Sequence, residues 1–138
     1  MRVAVIGAGG WGTALACLLD TAGHHVCMWV RREAVYRQLQ RTSENRAYLP
    51  DIRLPKSLRF TTDLAEAGAG AELIVFAVPS HAVRSTASQL APVVAGTPLF
   101  VSTSKGIEEK SLQTMSGVLR DTLPEQLVDR IAVLSGPS

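Results

Sequence analysis

Residues 2–12 are Arg2-Val3-Ala4-Val5-Ile6-Gly7-Ala8-Gly9-Gly10-Trp11-Gly12, an apolar run followed by a cluster of glycines. The continuous, β-branched run that ends at Ile6 is typical of a central parallel strand that is buried on both faces. Residues 10–22 then place apolar side chains at helical spacing, and Gly23 predicts the end of that helix. A second apolar strand is expected at 25–30, which completes a β-α-β unit within about 30 residues.

The spacing Gly7-x-Gly9-x-x-Gly12 gives each of the three glycines a different mechanical task. The first allows a sharp turn after the strand, the second allows the backbone to approach a pyrophosphate, and the third allows the helix to pack closely on the strand. The free N–H groups and the dipole of the helix attract phosphate. A tight turn without a ligand would not explain four glycines in six positions. We therefore predict that residues 7–12, the phosphate loop, bind a dinucleotide.

The remaining sequence continues the alternation of strands and helices. Strands are predicted at 58–62, 72–78, 98–102 and 130–134. Helices are predicted at 31–41, after Asp63, at 81–94 and at 108–123. Residues 45–55 are expected to be irregular because they contain Pro50 and end in Pro55. This order predicts an α/β fold of the Rossmann type, a doubly wound and mostly parallel sheet with helices on both faces, in one dinucleotide-binding domain at 1–138.

Composition narrows the function classes. The net charge of +2 is too small, and the basic residues too scattered, to predict binding to nucleic acid. No stretch reaches the ~18 apolar residues of a membrane span, and no cleavage site of a secretory signal follows the first strand, so we expect a cytoplasmic protein. Cys17 and Cys27 lack the spacing of metal ligands, and we predict no metal site.

The choice of cofactor depends on the residues that follow the second strand. Sites specific for NAD usually place a carboxylate there to bind the ribose 2′-hydroxyl. This chain has Arg31 and Arg32, and a guanidinium binds a 2′-phosphate with charge-assisted hydrogen bonds worth about 1.5–3 kcal/mol. The pair predicts NADP as the preferred cofactor, with NAD as the alternative. The other interpretation is a solvated pair of surface arginines, partly neutralised by Glu33.

Three further side chains are candidates for the site, each with a structural alternative. Lys105 follows the strand at 98–102, at the sheet edge where α/β domains bind ligands, and its charge could hold a phosphate or polarise a carbonyl. It could equally be a surface lysine. Trp11 either packs on the sheet or shields the cofactor. Tyr48 either flanks the cofactor or anchors a loop.

Four stretches of sequence carry a family resemblance. They are residues 7–16 (GAGGWGTALA), 45–50 (NRAYLP), 101–108 (VSTSKGIE) and 134–138 (LSGPS). Together with residues 76–80 (FAVPS), they resemble the cofactor-binding domain of bacterial NAD(P)-dependent glycerol-3-phosphate dehydrogenases. The resemblance spans the whole chain in the same order.

The resemblance implies an oxidoreductase that interconverts sn-glycerol 3-phosphate and dihydroxyacetone phosphate by hydride transfer, in glycerophospholipid synthesis. It assigns cofactor contacts to four residues, Gly10, Trp11, Arg31 and Tyr48. It assigns contacts with both cofactor and substrate to Lys105, and substrate contacts to Gly136 and Ser138.

Members of that family continue into a helical second domain that carries the general base, and this chain ends before it. We therefore expect the chain to bind cofactor, to have little activity alone, and to self-associate through the face on which the second domain would dock. Two alternatives are a non-catalytic module that senses NAD(P)H and the cofactor domain of another hydroxy-acid or sugar-phosphate dehydrogenase, because the fold alone does not choose between them.

Overall fold

The structure, a computed structural model, describes residues 1–135. In that range the strands and helices follow one another as β1 (Arg2–Ile6), α1 (Gly10–Thr21), β2 (His25–Trp29), α2 (Glu33–Thr42), β3 (Glu44–Asn45), β4 (Leu49–Arg53), β5 (Arg59–Thr61), α3 (Leu64–Gly68), β6 (Leu73–Phe76), α4 (Val83–Leu90), β7 (Leu99–Ser102), α5 (Met115–Thr122) and β8 (Ile131–Val133). Short 3₁₀ turns at Ser80–Ala82 and Ala91–Val93 flank α4, and a third at Glu125–Arg130 precedes β8.

Six strands form one parallel sheet in the order β5-β2-β1-β6-β7-β8. The chain progresses outward from β1 in one direction and then returns to its other side with β6. This reversal creates a crevice at the carboxyl ends of β1 and β6, where open α/β sheets bind ligands. The predicted Rossmann-type fold is confirmed.

The central strand β1 is buried on both faces, as its continuous apolar run predicts. Ala4 and Ile6 belong to one core cluster, which also contains Phe76 and residues of α3, α4 and α5. Val3 and Val5 belong to a second cluster with residues of α1 and α2. Helices therefore cover both sides of the sheet, and neither face of β1 is available to solvent.

The segment predicted to be irregular at 45–55 is a small antiparallel hairpin of β3 and β4, residues 44–53. The expectation was wrong because Pro50 lies within β4, an edge strand of a two-stranded sheet, where a missing N–H costs no ladder hydrogen bond. Asp51 adopts a left-handed conformation with φ of 65°, which the local sequence does not predict.

The helix predicted at 108–123 begins only at Met115. Residues 103–114 are a loop, closed by an isolated antiparallel bridge between Ile107 and Thr114. The Thr114 hydroxyl accepts a hydrogen bond from the Gly117 N–H and caps α5 at that point. The loop is longer than predicted, and it carries Lys105.

Candidate cofactor-binding site

The phosphate loop turns sharply at Gly7 because it leaves β1 against the end of β6. Gly7 has φ of 127°, a conformation that L-residues other than glycine rarely adopt. A Cβ atom at this position would lie 2.8 Å from the carbonyl carbon and oxygen of Ala77. The first glycine therefore permits both the turn and the close approach of two backbones.

Gly9 and Gly12 differ in the space around them. A Cβ atom at Gly12 would lie 2.4 Å from the Gly7 carbonyl oxygen and 3.2 Å from the Ala77 Cβ, so this glycine allows α1 to pack on the loop. A Cβ atom at Gly9 would meet nothing within 4 Å. The open space beside Gly9, at the amino end of α1, fits a phosphate group that approaches the backbone.

Gly10 faces the hairpin. A Cβ atom there would lie 2.8 Å from the Tyr48 carbonyl oxygen, so Gly10 allows the turn between β3 and β4 to pack against the start of α1. The hairpin therefore forms one wall beside the phosphate loop. This contact is absent from the roles that the glycine spacing alone predicts.

Asn45 joins the hairpin to the phosphate loop and was missed by sequence reasoning. Its side chain is fully buried, and its Nδ2 atom donates to the Ala8 carbonyl oxygen at 2.8 Å and to the Thr13 Oγ1 at 2.8 Å. Its Oδ1 accepts from the Tyr48 N–H at 3.3 Å. The only hint in the sequence is its place in the NRAYLP stretch, and no local pattern separates it from an ordinary turn asparagine.

The two arginines after β2 have different surroundings. Arg32 donates a hydrogen bond through Nη2 to the Tyr48 hydroxyl, and its guanidinium carbon lies 5.7 Å from the centre of the Tyr48 ring. Arg31 is exposed and has no side-chain hydrogen bond or ion pair with residues 1–135. Glu33, which the alternative interpretation pairs with the two arginines, forms its ion pair with Arg37 at 3.3 Å instead.

Trp11 and Tyr48 are both exposed beside the phosphate loop. Trp11 lies in the first turn of α1 with 57% of its surface accessible, and Tyr48 is also exposed, at 43%. Trp11 is therefore not a buried packing residue of the sheet, where a tryptophan would be largely covered, and its role beside the cofactor stays a prediction. Tyr48 does contact a neighbouring segment through Arg32, as the anchoring interpretation requires.

The end of β7 is tied to the end of β6 by two hydroxyl groups. Thr103 donates through Oγ1 to the Phe76 carbonyl oxygen at 2.8 Å, and Ser104 donates to the Val78 carbonyl oxygen at 2.5 Å. Lys105 follows directly. It is exposed, and its amine has no hydrogen-bond partner in residues 1–135. The cation is therefore available at the carboxyl edge of the sheet.

An ion pair anchors the loop that carries Lys105 to α4. The Arg84 Nε atom donates to both carboxylate oxygens of Glu108, at 3.0 and 2.8 Å, and its Nη2 atom donates to the Gln113 Oε1 at 2.7 Å. The Arg84 hydrogen bonds, together with one from Ser111, lower the pKa of Glu108 below its ordinary value. The same carboxylate raises the pKa of Arg84.

The other predicted site residues lie apart from this arrangement. Gly136 and Ser138, the expected substrate contacts, lie outside the described residues. Within residues 1–135, no group of three or more His, Cys, Asp or Glu side chains could hold a metal ion. None of the helices in the same part of the chain is long and apolar enough to cross a membrane.

A cavity of about 460 Å³ lies at the opposite edge of the sheet from the phosphate loop, at the amino ends of β1 and β2. Its lining mixes charges of both signs, including Arg2, Arg59 and Glu66. Arg59 and Glu66 approach each other to 3.9 Å. This cavity shares no lining residue with the phosphate loop and takes no part in the candidate site.

The sequence matches a family model over residues 2–138, described as the amino terminus of NAD-dependent glycerol-3-phosphate dehydrogenase. Glycerol-3-phosphate dehydrogenase [NAD(P)+] of Moorella thermoacetica is 48% identical over 136 residues, which is 99% of this chain and 39% of that protein. The enzyme of the same name from Bacillus subtilis is 42% identical over 137 residues, 99% of this chain and 40% of that protein. The chain thus spans about two fifths of these relatives.

Solved structures of glycerol-3-phosphate dehydrogenases are also similar to this chain. Glycerol-3-phosphate dehydrogenase of Coxiella burnetii superposes with a TM-score of 0.86 at 28% identity, over 99% of this chain and 41% of that one. The Saccharomyces cerevisiae enzyme superposes with a TM-score of 0.86 at 28% identity, over 100% of this chain and 42% of that one. A ketopantoate reductase of Ralstonia eutropha, with a TM-score of 0.72 at 26% identity over 96% of this chain and 40% of that one, shares the fold less closely.

Proposed function

The chain belongs to the NAD-dependent glycerol-3-phosphate dehydrogenase family, in its amino-terminal part, and on that premise we propose that it is the cofactor domain of an oxidoreductase that interconverts sn-glycerol 3-phosphate and dihydroxyacetone phosphate. The observation that carries the proposal is the open space beside Gly9, which lies next to the crevice between β1 and β6. The alternatives of a sensing module and of another dehydrogenase are not favoured by the family match.

The residues of this chain would perform three tasks around the cofactor. The free N–H groups of the phosphate loop and of the first turn of α1 bind the pyrophosphate. Trp11 and Tyr48 present exposed aromatic rings beside it and exclude water. Lys105 places a cation at the carboxyl edge, where it can hold the substrate phosphate or polarise the reacting oxygen. The bound nicotinamide supplies the chemistry of hydride transfer.

We propose that NADP is preferred over NAD, through the arginines that follow β2. Arg31 supports this preference because it is exposed and has no ion-pair partner in the described part of the chain. Arg32 is turned toward Tyr48, so it contributes to the wall of the site and less to the 2′-phosphate. The preference therefore rests mainly on Arg31, a narrower assignment than the arginine pair.

The test is a calorimetric titration of the chain with NADPH and with NADH in parallel. Wild type should bind NADPH at least about tenfold more tightly. Arg31→Asp should abolish this preference, whereas Arg32→Asp should weaken the binding of both cofactors to the same extent. Arg41→Asp, an exposed arginine at the end of α2, carries the same charge change and should leave the ratio unaltered.

Each outcome of the titration has a definite meaning. Equal affinities for NADPH and NADH in wild type would refute the NADP preference and leave the cofactor site intact. An altered ratio of the two affinities in Arg41→Asp would mean that the effect of Arg31→Asp comes from the change in net charge. Absence of binding by either cofactor would contradict the proposed function of the chain.

The substrate side of the site and the rest of the enzyme are further parts of the proposal. Gly136 and Ser138 would contact substrate together with Lys105, and a helical carboxyl-terminal domain would supply the general base. The chain by itself should then bind NADPH and yet oxidise it negligibly when dihydroxyacetone phosphate is added. A turnover rate near that of the family's whole enzymes would refute this division of labour.

We also propose that the chain self-associates through apolar side chains near the carboxyl edge of the sheet. Ile107, Leu112, Val133 and Leu134 are exposed there, Leu112 with 71% of its surface accessible. Light scattering at high concentration should detect dimers or larger species that Leu112→Asp suppresses, and a strict monomer would refute the idea.

A cytoplasmic location is proposed from two free cysteines, typical of a reducing compartment, and cell fractionation tests it.

A further inference from the structure

We propose that Asn45 is a positioning residue for the cofactor pyrophosphate, which acts by fixing the orientation of the peptide bond between Ala8 and Gly9. Asn45 lies in the hairpin, outside the glycine-rich sequence, and is buried from any ligand. This inference rests on the proposed function, since it concerns the same phosphate loop. It assigns the orientation of that loop to a side chain more than 30 positions away along the chain.

The contacts of Asn45 use its amide group nearly completely. Nδ2 donates both of its hydrogens, to the Ala8 carbonyl oxygen and to the Thr13 hydroxyl, each at 2.8 Å. Oδ1 accepts from the Tyr48 N–H at 3.3 Å. One side chain therefore links the phosphate loop, the first turn of α1 and the turn of the hairpin. An amide is required, because neither a carboxylate nor an aliphatic side chain supplies two donors and an acceptor.

The contact with the Ala8 carbonyl determines where the next N–H points. No cis peptide bond occurs in the described residues, so the Ala8 C=O and the Gly9 N–H lie in one plane and point in opposite directions. Asn45 holds the C=O on the side of the hairpin. The Gly9 N–H therefore points away from the hairpin, and it has no acceptor in residues 1–135. A rotated peptide would turn a carbonyl oxygen toward the phosphates instead.

The lack of a side chain at Gly9 makes this contact useful. Gly9 has no Cβ, and nothing lies within 4 Å of the position where one would be, so no side-chain packing at Gly9 helps to orient the peptide. The hydrogen bond from Asn45 to the Ala8 carbonyl supplies a restraint from the other end of that peptide. An oriented donor that is fixed before binding loses little entropy when the anion arrives, and this predicts that Asn45 raises affinity through the Gly9 N–H.

Two kinds of substitution separate orientation of the peptide from simple anchoring of the hairpin. Asn45→Asp replaces the donor with a carboxylate oxygen that repels the Ala8 carbonyl, and Asn45→Ala removes all three hydrogen bonds. Thr13→Val is the matched control, because it breaks one of the two Nδ2 hydrogen bonds, is nearly isosteric, and leaves the contact with Ala8 in place. Both positions are buried, so each of the three variants is first checked for a dispersed NMR spectrum.

The experiment follows the Gly9 amide of the ¹⁵N-labelled chain by NMR during a titration with ADP, a probe that carries the pyrophosphate without nicotinamide. In wild type and in Thr13→Val, the Gly9 proton should shift downfield at saturation. In Asn45→Asp and Asn45→Ala that shift should vanish, and calorimetry should give an ADP affinity at least about tenfold weaker.

Three outcomes would overturn the inference. The first is wild-type affinity for ADP in either Asn45 variant. The second is an equal loss of affinity in Thr13→Val, which would reduce Asn45 to an anchor of the hairpin. The third is that wild type binds ADP while the chemical shift of its Gly9 amide does not change. This outcome needs no variant, so it can be tested even if both Asn45 variants fail to fold. Failure of wild type to bind any adenine dinucleotide would instead refute the proposed function.

Discussion

The different surroundings of Gly9 and Gly12 lead to opposite predictions for the same substitution. Gly9→Ala adds a methyl group to open space, whereas Gly12→Ala places it 2.4 Å from a backbone oxygen. The first variant should remain as stable as wild type and lose cofactor affinity. The second should lose stability. Both variants exchange a glycine for an alanine, so their composition and charge are the same.

The magnitude for Gly12→Ala follows from two opposing terms. Alanine is favoured over glycine in a helix by about 1 kcal/mol. Overpacking of a filled site costs about 1–3 kcal/mol, and the upper end applies because the obstructing Gly7 oxygen belongs to the backbone. The net loss is about 2 kcal/mol. In a domain of this size each kcal/mol lowers Tm by roughly 3–5 °C, so Tm should fall by roughly 6–10 °C.

For Gly9→Ala the terms that affect stability nearly cancel. Gly9 is the residue before the first turn of α1, with φ of −72° and ψ of −177°, a conformation that alanine adopts freely. Alanine is poorer than glycine at this position by about 0.5 kcal/mol, and it restricts the unfolded chain by about 0.4–1 kcal/mol. Tm should stay within about 2 °C.

The methyl group of Gly9→Ala occupies the space through which the phosphates approach. Loss of one hydrogen bond to a charged group costs about 1.5–3 kcal/mol, so affinity should fall about tenfold to hundredfold. Differential scanning fluorimetry and titration with NADPH measure both quantities on each variant. Wild-type affinity in Gly9→Ala would refute the placement of the pyrophosphate beside Gly9. Wild-type stability in Gly12→Ala would refute the packing argument.

Three further predictions concern the surroundings of the loop. Glu108→Gln should destabilise the chain at neutral pH, because the hydrogen bonds from Arg84 lower the pKa of Glu108 in the folded state. The difference in unfolding free energy from wild type should be complete above the ordinary glutamate pKa of about 4.3 and disappear as pH falls through the lower folded value. Urea unfolding at several pH values measures this difference. Lys105→Ala should weaken NADPH binding by roughly threefold to tenfold without changing Tm, since the side chain is exposed, and Lys105→Arg should restore part of the affinity. Trp11→Phe should abolish most of the quenching of tryptophan fluorescence by NADPH, whereas Trp29→Phe, which removes a partly buried ring, should preserve it.

Features that depend on the regular alternation of apolar residues were predictable. The strand that ends at Ile6, the helix after it and the glycine spacing predict the architecture and the tasks of Gly7 and Gly12, because each depends on sterics between neighbouring segments. The end of the helix near Gly23 was predictable for a local reason, because glycine readily adopts the positive φ that follows a helix, and Gly23 has φ of 98°.

Features that depend on a partner distant in sequence were not predictable. The burial of Asn45 arises from contacts with Ala8 and Thr13, which only the fold brings near. The late start of α5 arises from a loop that is held open by Arg84 on another helix. Propensity alone continues a helix through residues 108–114, and tertiary contacts override it.

The close approach of Gly7 to Ala77 has a consequence for biosynthesis. The two strands that meet there begin far apart along the chain, as the hydrogen bond between Arg2 and Glu72, 70 positions apart, illustrates. A nascent chain that has emerged only as far as β2 already contains the whole glycine motif, yet the surface that shapes its turn is not yet synthesised. Pairing over such a separation is slow to form. The glycine motif can therefore acquire its final turn only after β6 and Ala77 have been synthesised.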